Sequence, residues 1–452
     1  MKLVIVGAGK VGYSLAANLC GEGHDVTVID SNRRRLDILE AHLNLSVIEG
    51  NAAKLDTLRQ ADIGNTDLLI AVTEKDELNM VACFVAKSAG VKSAVARVRT
   101  PGFSDFDDAV RLDALGIDML INPERVTALE IAKLIEYPEA NYVGYFGGGQ
   151  VQMLELKLDG SCTNLDIPLM EIQNPAPCIC VAIEREGELL IPRGDACFRA
   201  QDEVLLLANT KDMREIERFL NVPVKQPKQV MIAGGSLCGY HLAKRLAQCR
   251  PGMTVKLFEP DRSRCDELAN ELQDTMIFNG SASDISLLEE ENIADCDVFV
   301  AAGEDDKENL FDCLLAKKLG AKKTIAQIRG SEYAHIIEQV GVDRVVSPNR
   351  LTTDGILRFI SRSRILSLTR FDDSLGQITE YRVPENAVSA GKMLMELNFP
   401  RRALVCMIIR GDRHLIPQGA DTIEACDTVI VFSLPEALHE VEELLTKVEG
   451  EN

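Results

Sequence analysis

The feature that most narrows what this chain can fold into is an internal duplication: its first half recurs, in the same order, in its second. Ile5-Val6-Gly7-Ala8-Gly9-Lys10-Val11-Gly12 matches Ile232-Ala233-Gly234-Gly235-Ser236-Leu237-Cys238-Gly239. Val28-Ile29-Asp30 matches Leu257-Phe258-Glu259, and Gly50-Asn51-Ala52 matches Gly280-Ser281-Ala282. Asp67–Ala71 matches Asp297–Ala301, with Asp76 and Asn79 opposite Asp306 and Asn309. Asn122-Pro123 pairs with Ser347-Pro348, Ile191-Pro192-Arg193-Gly194 with Ile416-Pro417-Gln418-Gly419, and Asp202-Glu203-Val204 with Asp427-Thr428-Val429. So many matches in one order require two copies of one architecture. A chain of 452 residues has room for several domains.

Within each half, short apolar runs alternate with helical patterns. In the first, Lys2–Val6, Asp25–Ile29, Ser46–Glu49, Leu68–Val72, Ala94–Arg97 and Met119–Ile121 read as strands. Val11–Cys20, Arg34–Leu43, Lys54–Ala61, Glu77–Ser88 and Phe106–Leu115 read as helices between them. That alternation predicts a parallel sheet with right-handed crossovers. Strands that are apolar throughout, rather than alternating, predict helices on both faces. The segment Glu124–Glu136 reads as an amphipathic helix, with Asn349–Ile360 as its counterpart; their apolar faces are expected to join copies of the chain. From about residue 150 the pattern changes, and Met153–Leu158, Cys180–Glu184 and Glu203–Leu207 read as strands of a smaller α/β module. The stretch Asn221–Lys228 is a polar, proline-bearing linker to the second copy. The expected fold class is therefore α/β, two Rossmann-like parallel-sheet domains each followed by a small α+β module.

Gly7-x-Gly9-x-x-Gly12 sits after a strand and opens a helix, as a dinucleotide loop must. The first glycine allows the tight turn, the second lets backbone approach a pyrophosphate, and the third lets helix and strand pack closely. Asp30 ends the second strand, where a carboxylate accepts from a ribose diol and repels a 2′-phosphate, favouring NAD(H) or an adenine nucleotide. Thr73 and Glu74 follow the fourth strand at the sheet's carboxyl edge, where ligands of open parallel sheets bind. Asp76 is expected to cap the following helix, and Arg97, ending the fifth strand, to meet phosphate, ribose or a neighbouring carboxylate. The second copy departs: Ser236 puts a side chain at the middle glycine's place, and Gln327 stands opposite Arg97. Glu259 keeps the acidic position.

The net charge of −21 argues against nucleic acid and against adsorption to an anionic leaflet, both of which need Lys/Arg excess. No window approaches the roughly 20 apolar residues of a membrane span, and no targeting segment is read before Leu3. The thirteen cysteines lack a paired framework and are expected to be free thiols of a cytoplasmic protein. A dehydrogenase needs an acid/base group near its cofactor. The six histidines do not recur between the halves and form no metal pattern, so no catalytic or metal site is expected.

With Val4–Gly12, Asp30, the Thr73–Asn79 loop, Ala96-Arg97-Val98-Arg99, Asn122-Pro123-Glu124-Arg125 and the duplicated Ile-Pro-x-Gly and Asp-x-Val motifs, the whole chain resembles the TrkA family. Those proteins are the tandem RCK-domain (regulator of potassium conductance) subunits of Trk-type potassium uptake systems. The resemblance implies RCK N-terminal domains at 1–123 and 228–348 and RCK C-terminal domains at 140–223 and 366–450. It implies a non-enzymatic, cytoplasmic regulator, peripheral on the inner face of the membrane. It further implies NAD(H) at the first site, ATP or ADP at either, and a homo-oligomer whose dimers assemble into a tetrameric ring. The implied partner is a membrane potassium-transporting subunit of Trk or Ktr type. Carried over, the first site comprises Gly7, Ala8, Gly9, Lys10, Val11, Gly12, Asp30, Asn51, Thr73, Glu74 and Arg97. The second comprises Gly234, Gly235, Ser236, Leu237, Cys238, Glu259 and Gln327. Asn51 stands where the family usually has Asp. The alternatives are an NAD-dependent oxidoreductase and an RCK regulator of another ion exporter or antiporter.

Overall fold

Apolar strands separated by helix-length segments close into the same sheet twice. The structure is a computed structural model that describes residues 1–100, 115–222, 226–249, 252–330, 337, 340–360, 365–371, 376–411 and 413–448. The expected helix Phe106–Leu115 lies outside those residues except for its last position.

The first half opens with β1 (Lys2–Val6), α1 (Lys10–Gly21), β2 (Asp25–Asp30), α2 (Arg33–His42), β3 (Ser46–Glu49) and α3 (Leu55–Gln60). It continues with β4 (Leu68–Ala71), α4 (Asp76–Ser88), β5 (Ser93–Arg97), β6 (Met119–Ile121) and α5 (Pro123–Glu136). The strands form one parallel sheet in the order β3-β2-β1-β4-β5-β6. Every residue of β4 is buried, as expected for a strand with helices over both faces. The small module follows as β7 (Ala140–Phe146), β8 (Val151–Lys157), β9 (Cys178–Arg185), β10 (Glu188–Leu190), β11 (Glu203–Asn209) and α6 (Met213–Phe219). Its sheet is antiparallel, ordered β10-β9-β11-β8-β7.

The second half repeats both. Its parallel sheet is β14-β13-β12-β15-β16-β17, from β12 (Gln229–Ala233), β13 (Thr254–Glu259), β14 (Met276–Asn279), β15 (Val298–Ala301), β16 (Lys323–Gln327) and β17 (Arg344–Val346). Its helices are α7 (Leu237–Cys249), α8 (Arg262–Glu271), α9 (Ile285–Glu290), α10 (Asp306–Lys318) and α11 (Pro348–Ile360). The last module comprises β18 (Ile365–Phe371), β19 (Gly376–Arg382), β20 (Ala403–Arg410), β21 (Arg413–Leu415), β22 (Thr428–Ser433) and α12 (Leu438–Thr446). Its sheet order, β18-β19-β22-β20-β21, is that of the first module read backwards.

The chain divides into two compact units: Met1–Ala132 with Lys228–Phe359, and Lys133–Pro227 with Ile360–Asn452. The first holds both parallel sheets, the second both antiparallel ones. In the second, Phe146, Val151, Met153 and Leu207 share one apolar cluster with Ile378, Cys406, Ile430 and Phe432. The duplicated Asp-x-Val motif is structural here. Asp202, 1 % exposed, receives both Nε and Nη2 of Arg185, and Asp427, also 1 % exposed, receives the same pair from Arg410.

In the first unit the sheets pack within one chain: a Cβ on Gly355 of α11 would lie 2.7 Å from Ile121 Cδ1 at the end of β6. Thr127, Ala128 and Ile131 of α5, and Thr352, Ile356 and Leu357 of α11, are buried, while Leu129 stays exposed. The faces expected to be open on a lone chain are thus largely covered inside it, and they no longer argue for a second copy. Among the described residues no helix is long and apolar enough to cross a membrane. The thirteen cysteines are free thiols.

Candidate functional site

Because β1 and β4 are neighbours while the chain winds outward from them in opposite directions, their carboxyl ends bound a crevice. On the β1 side Gly7 has φ +108°, and its N–H donates to Ile29 O at 2.8 Å. A Cβ there would approach the Thr73 nitrogen to 3.1 Å, so the turn after β1 nearly touches the turn after β4. A Cβ on Gly12 would sit 1.9 Å from Gly7 O, an overlap that excludes every other residue. Gly9 differs: it caps α1, and a Cβ on it would meet nothing within 4 Å. The space over Gly9 and the free N–H groups of the first turn of α1 form an anion-binding end. Lys10 is exposed beside it, and Val11 is buried beneath.

Asp30, ending β2, accepts from Ala8 N–H through Oδ2 and from Asn32 N–H through Oδ1, both at 2.7 Å. Glu259 does the same in the second half, accepting from Gly235 N–H at 2.7 Å and Asp261 N–H at 2.9 Å. The acidic residue therefore stitches the glycine loop to the next turn, and each oxygen keeps a lone pair for a ribose hydroxyl. Asn51 accepts from Ala53 N–H at 2.9 Å in a local turn on the exposed rim.

Sequence reasoning gave Asn79 no role, yet this fully buried amide organises the β4 side. Its Oδ1 accepts from Thr73 N–H at 2.9 Å and Thr73 Oγ1 at 2.6 Å. Its Nδ2 donates to Thr73 O at 3.0 Å and Arg97 O at 2.8 Å. Asn309 makes the equivalent backbone bonds to Gly303 and Gln327. Recurrence of the asparagine in both halves was the available signal. Asp76 is not the cap of α4: that position is Lys75, which has no side-chain cap bond. The Asp76 carboxylate instead accepts from the N–H groups of Arg99 and Thr100 and from the Thr100 hydroxyl, tying down the segment after β5. In the second half Asp305 does cap α10, leaving Asp306 to hold Arg329 and Gly330.

Thr73 spends its hydroxyl on Asn79, whereas Glu74 is exposed, 3.9 Å from Arg35. Arg97 is mostly buried, and burial lowers the pKa of its guanidinium. Nη1 reaches Thr73 O only at 3.5 Å, and Nε is buried with no hydrogen-bond partner. A buried charged donor left unpaired is costly, which fits a group shaped for an incoming anion.

The second crevice is built on the same frame. Gly234 has φ +97°, and its Cβ would lie 2.9 Å from Gly303; Gly235 is pressed between Leu268 and Glu259. The Ser236 hydroxyl does not stand in the phosphate path, as expected from the sequence, but turns inward. It donates to Ala302 O at 2.5 Å and accepts from Gly239 N–H at 3.3 Å. Gln327 is buried, with Nε2 3.3 Å from Gly303 O and Oε1 unpartnered. Leu237 begins α7, and the buried Cys238 thiol is pushed up to about 12 by burial.

Among known proteins, the TrkA-N domain family matches residues 3–123 and 230–348, and the TrkA-C domain family matches 378–446. A Trk system potassium uptake protein TrkA homolog (homolog 1) of Methanosarcina mazei is 35% identical over 449 residues, 98% of this chain and 99% of that protein. The homologous protein of Archaeoglobus fulgidus is 36% identical over 446 residues, 98% and 100% of the two chains. The GsuK channel bound to NAD shares the fold at TM-score 0.63 and 18% identity, over 98% of this chain and 78% of that one. GsuK bound to ADP does so at TM-score 0.51 and 15% identity, over 80% and 69%.

Proposed function

The chain belongs to the TrkA family of Trk system potassium uptake proteins, and from that premise we propose that it is a nucleotide-binding regulatory subunit, not an enzyme. The observation that carries this reading is the unequal pair of crevices on one frame. Both halves keep the stitch from acid to glycine loop, but only the first combines an open Gly9 with an unpartnered arginine donor. In the first site the backbone N–H groups from Gly9 to Val11 would hold a pyrophosphate, with Gly7 and Ala8 shaping the turn beneath it; Lys10 would face it, and Arg97 would pair with it. Asp30 would accept from the adenosine ribose and disfavour a 2′-phosphate. Thr73, Glu74 and Asn51 would line the rim. NAD(H) is the proposed ligand there, with ATP or ADP at either site; GsuK structures with NAD and with ADP share this fold.

A ligand shifts an equilibrium only by its difference in affinity between the two states. Nucleotide would favour one arrangement of the Rossmann domains in a homo-oligomeric ring, docked on the cytoplasmic face of a membrane potassium-transporting subunit. The test is potassium uptake in vesicles carrying that subunit with the purified chain. Uptake should change with NADH or ATP, and Gly9→Asp should abolish the NADH response. Uptake that ignores both nucleotides, or a chain that does not co-purify with the transporter, would refute the proposal.

A further inference from the structure

Gly9 and Ser236 hold the same place in the two halves, yet nothing in the fold asks for glycine there. Gly9 has φ −76°, a value open to any residue, so its backbone does not require it. A Cβ added to it would meet nothing within 4 Å, so packing does not require it either. Its two companions differ: Gly7 has φ +108°, and a Cβ on Gly12 would overlap Gly7 O. The second half shows the frame accepting a side chain at this position. Ser236 precedes α7 as Gly9 precedes α1, and Tyr240 N–H donates to Ser236 O at 2.9 Å as Tyr13 N–H donates to Gly9 O at 2.8 Å. Two hydrogen bonds fix the serine, whose hydroxyl donates to Ala302 O and accepts from Gly239 N–H. The hydroxyl points inward, and the Cβ that carries it stands in the space that Gly9 leaves open. What glycine supplies at position 9, and serine withdraws at 236, is room for a ligand.

We infer that this one position sets which nucleotide each crevice takes: Gly9 admits a dinucleotide, and Ser236 bars one while leaving room for a nucleoside di- or triphosphate. The inference rests on the proposal that the second crevice binds nucleotide. A dinucleotide carries a nucleoside at each end of its pyrophosphate. The pyrophosphate must therefore lie along the loop, across the middle residue, where backbone has to come close. A Cβ there holds it off the N–H groups of the helix's first turn. The phosphates of a mononucleotide are tethered at one end only. They reach the same N–H groups past the Cβ, and the Ser236 hydroxyl, turned to Ala302 O, leaves that path clear. Both crevices keep the acid for the ribose, with Asp30 and Glu259 bonded alike to the glycine loop. Discrimination therefore comes from the phosphate end. The opposite wall agrees with it. Arg97 leaves a buried donor unpaired in the first crevice, whereas Gln327, 1 % exposed, leaves an acceptor, which adds nothing to the hold on a pyrophosphate.

Calorimetric titration of the full chain with NADH and with ATP tests this by exchanging the two residues. In a Gly9→Asp chain, which leaves the second crevice alone, adding Ser236→Gly should tighten NADH by about tenfold or more, the scale of one methylene-sized obstacle removed. ATP should still bind. In a Ser236→Asp chain, which leaves the first crevice alone, position 9 stays as glycine in the parent and is compared with serine and alanine. Gly9→Ser is there expected to weaken NADH about tenfold more than ATP, and Gly9→Ala to match it, because the Cβ and not the hydroxyl is the obstacle. NADH no tighter after Ser236→Gly, or NADH and ATP weakened alike by Gly9→Ser, overturns the inference and leaves the second-site proposal standing. Loss of all ATP binding in the Gly9→Asp chain overturns that proposal instead. If Ser236→Gly does not fold, the NADH-to-ATP ratio of Gly9→Ser decides.

Discussion

Replacing Asn79 by alanine separates the frame of the crevice from its ligand. The side chain is 0 % exposed and makes four hydrogen bonds: two from Thr73 to Oδ1, and two from Nδ2 to the carbonyls of Thr73 and Arg97. In Asn79→Ala the Thr73 hydroxyl can turn fully to Lys75 O, already 3.3 Å away, and Thr73 O keeps the long contact from Arg97. Thr73 N–H and Arg97 O lose their partners. At about 1–3 kcal/mol for each of the two buried groups left unpaired, the ends of β4 and β5 should lose about 2–6 kcal/mol of local stability. Because the chain has several domains, a single global unfolding energy is the wrong observable. Native-state hydrogen exchange at Val72 N–H, bonded to Val6 O, and Val98 N–H, bonded to Ile121 O, reads the loss directly. Their protection should fall by at least about 30-fold, since about 1.4 kcal/mol is tenfold. NADH affinity should fall too, because Thr73 and Arg97 lose their common tether. Asn309→Ala should cost the same protection at Ala302, bonded to Ala233 O, without touching NADH. Protection at Val72 and Val98 within about threefold of the parent would refute the staple.

Three further predictions follow from other parts of the molecule. Gly12→Ala, whose Cβ would overlap Gly7 O, should leave the first domain misfolded by circular dichroism, whereas Gly9→Ala should fold normally and lose NADH affinity. Asp312 on α10 is buried without a partner for Oδ1, and burial, with Glu308 adding to it, raises its pKa from 3.8 to about 7. The folded chain then keeps a proton that the unfolded chain releases above pH ~4, so stability falls as the pH rises from about 4 to 7 and levels off beyond. Asp312→Ala, which installs the residue found at Ala82 in the first half, should raise the melting temperature more at pH 8 than at pH 5; an equal shift at both would contradict the titration. Asp202→Ala strands Arg185 against the first small module and should destabilise it by about 3–5 kcal/mol in urea unfolding; a loss under about 1 kcal/mol would show the pair to be decorative.

The architecture was legible because it is local and repeated. Fully apolar strands, glycines with fixed spacing and an acid at the end of β2 each act over a few residues, and the second copy repeats all of them but the middle glycine. Expectation and structure part where one residue type serves two purposes. An acid at the head of a helix reads as a cap, but Asp76 lies one residue inside α4 and reaches across to Arg99 and Thr100. Serine in a glycine loop reads as an obstacle, but the small hydroxyl of Ser236 finds Ala302 O and turns inward. The apolar stripe of α5 reads as an interface between chains; a sequence cannot tell that from a contact with its own repeat, such as Gly355 against Ile121. Strand β7 went unread because Tyr142, Gly144 and Tyr145 interrupt its apolar pattern. The convergence of Arg99 and Arg329 on Glu304 joins residues about 200 apart, and no local pattern encodes it.

Calorimetric titration with NADH and with ATP tests most directly whether one duplicated frame carries two sites with different ligand duties, on three forms of the full chain: unaltered, Gly9→Asp and Ser236→Asp. Position 236 is preferable to Gly234, whose positive φ and contact with Gly303 make any side chain disruptive. Gly9→Asp should remove NADH binding and leave an ATP site, while Ser236→Asp should remove that ATP site and leave NADH binding intact. Both ligands lost together in either variant, or both retained in both, would contradict it.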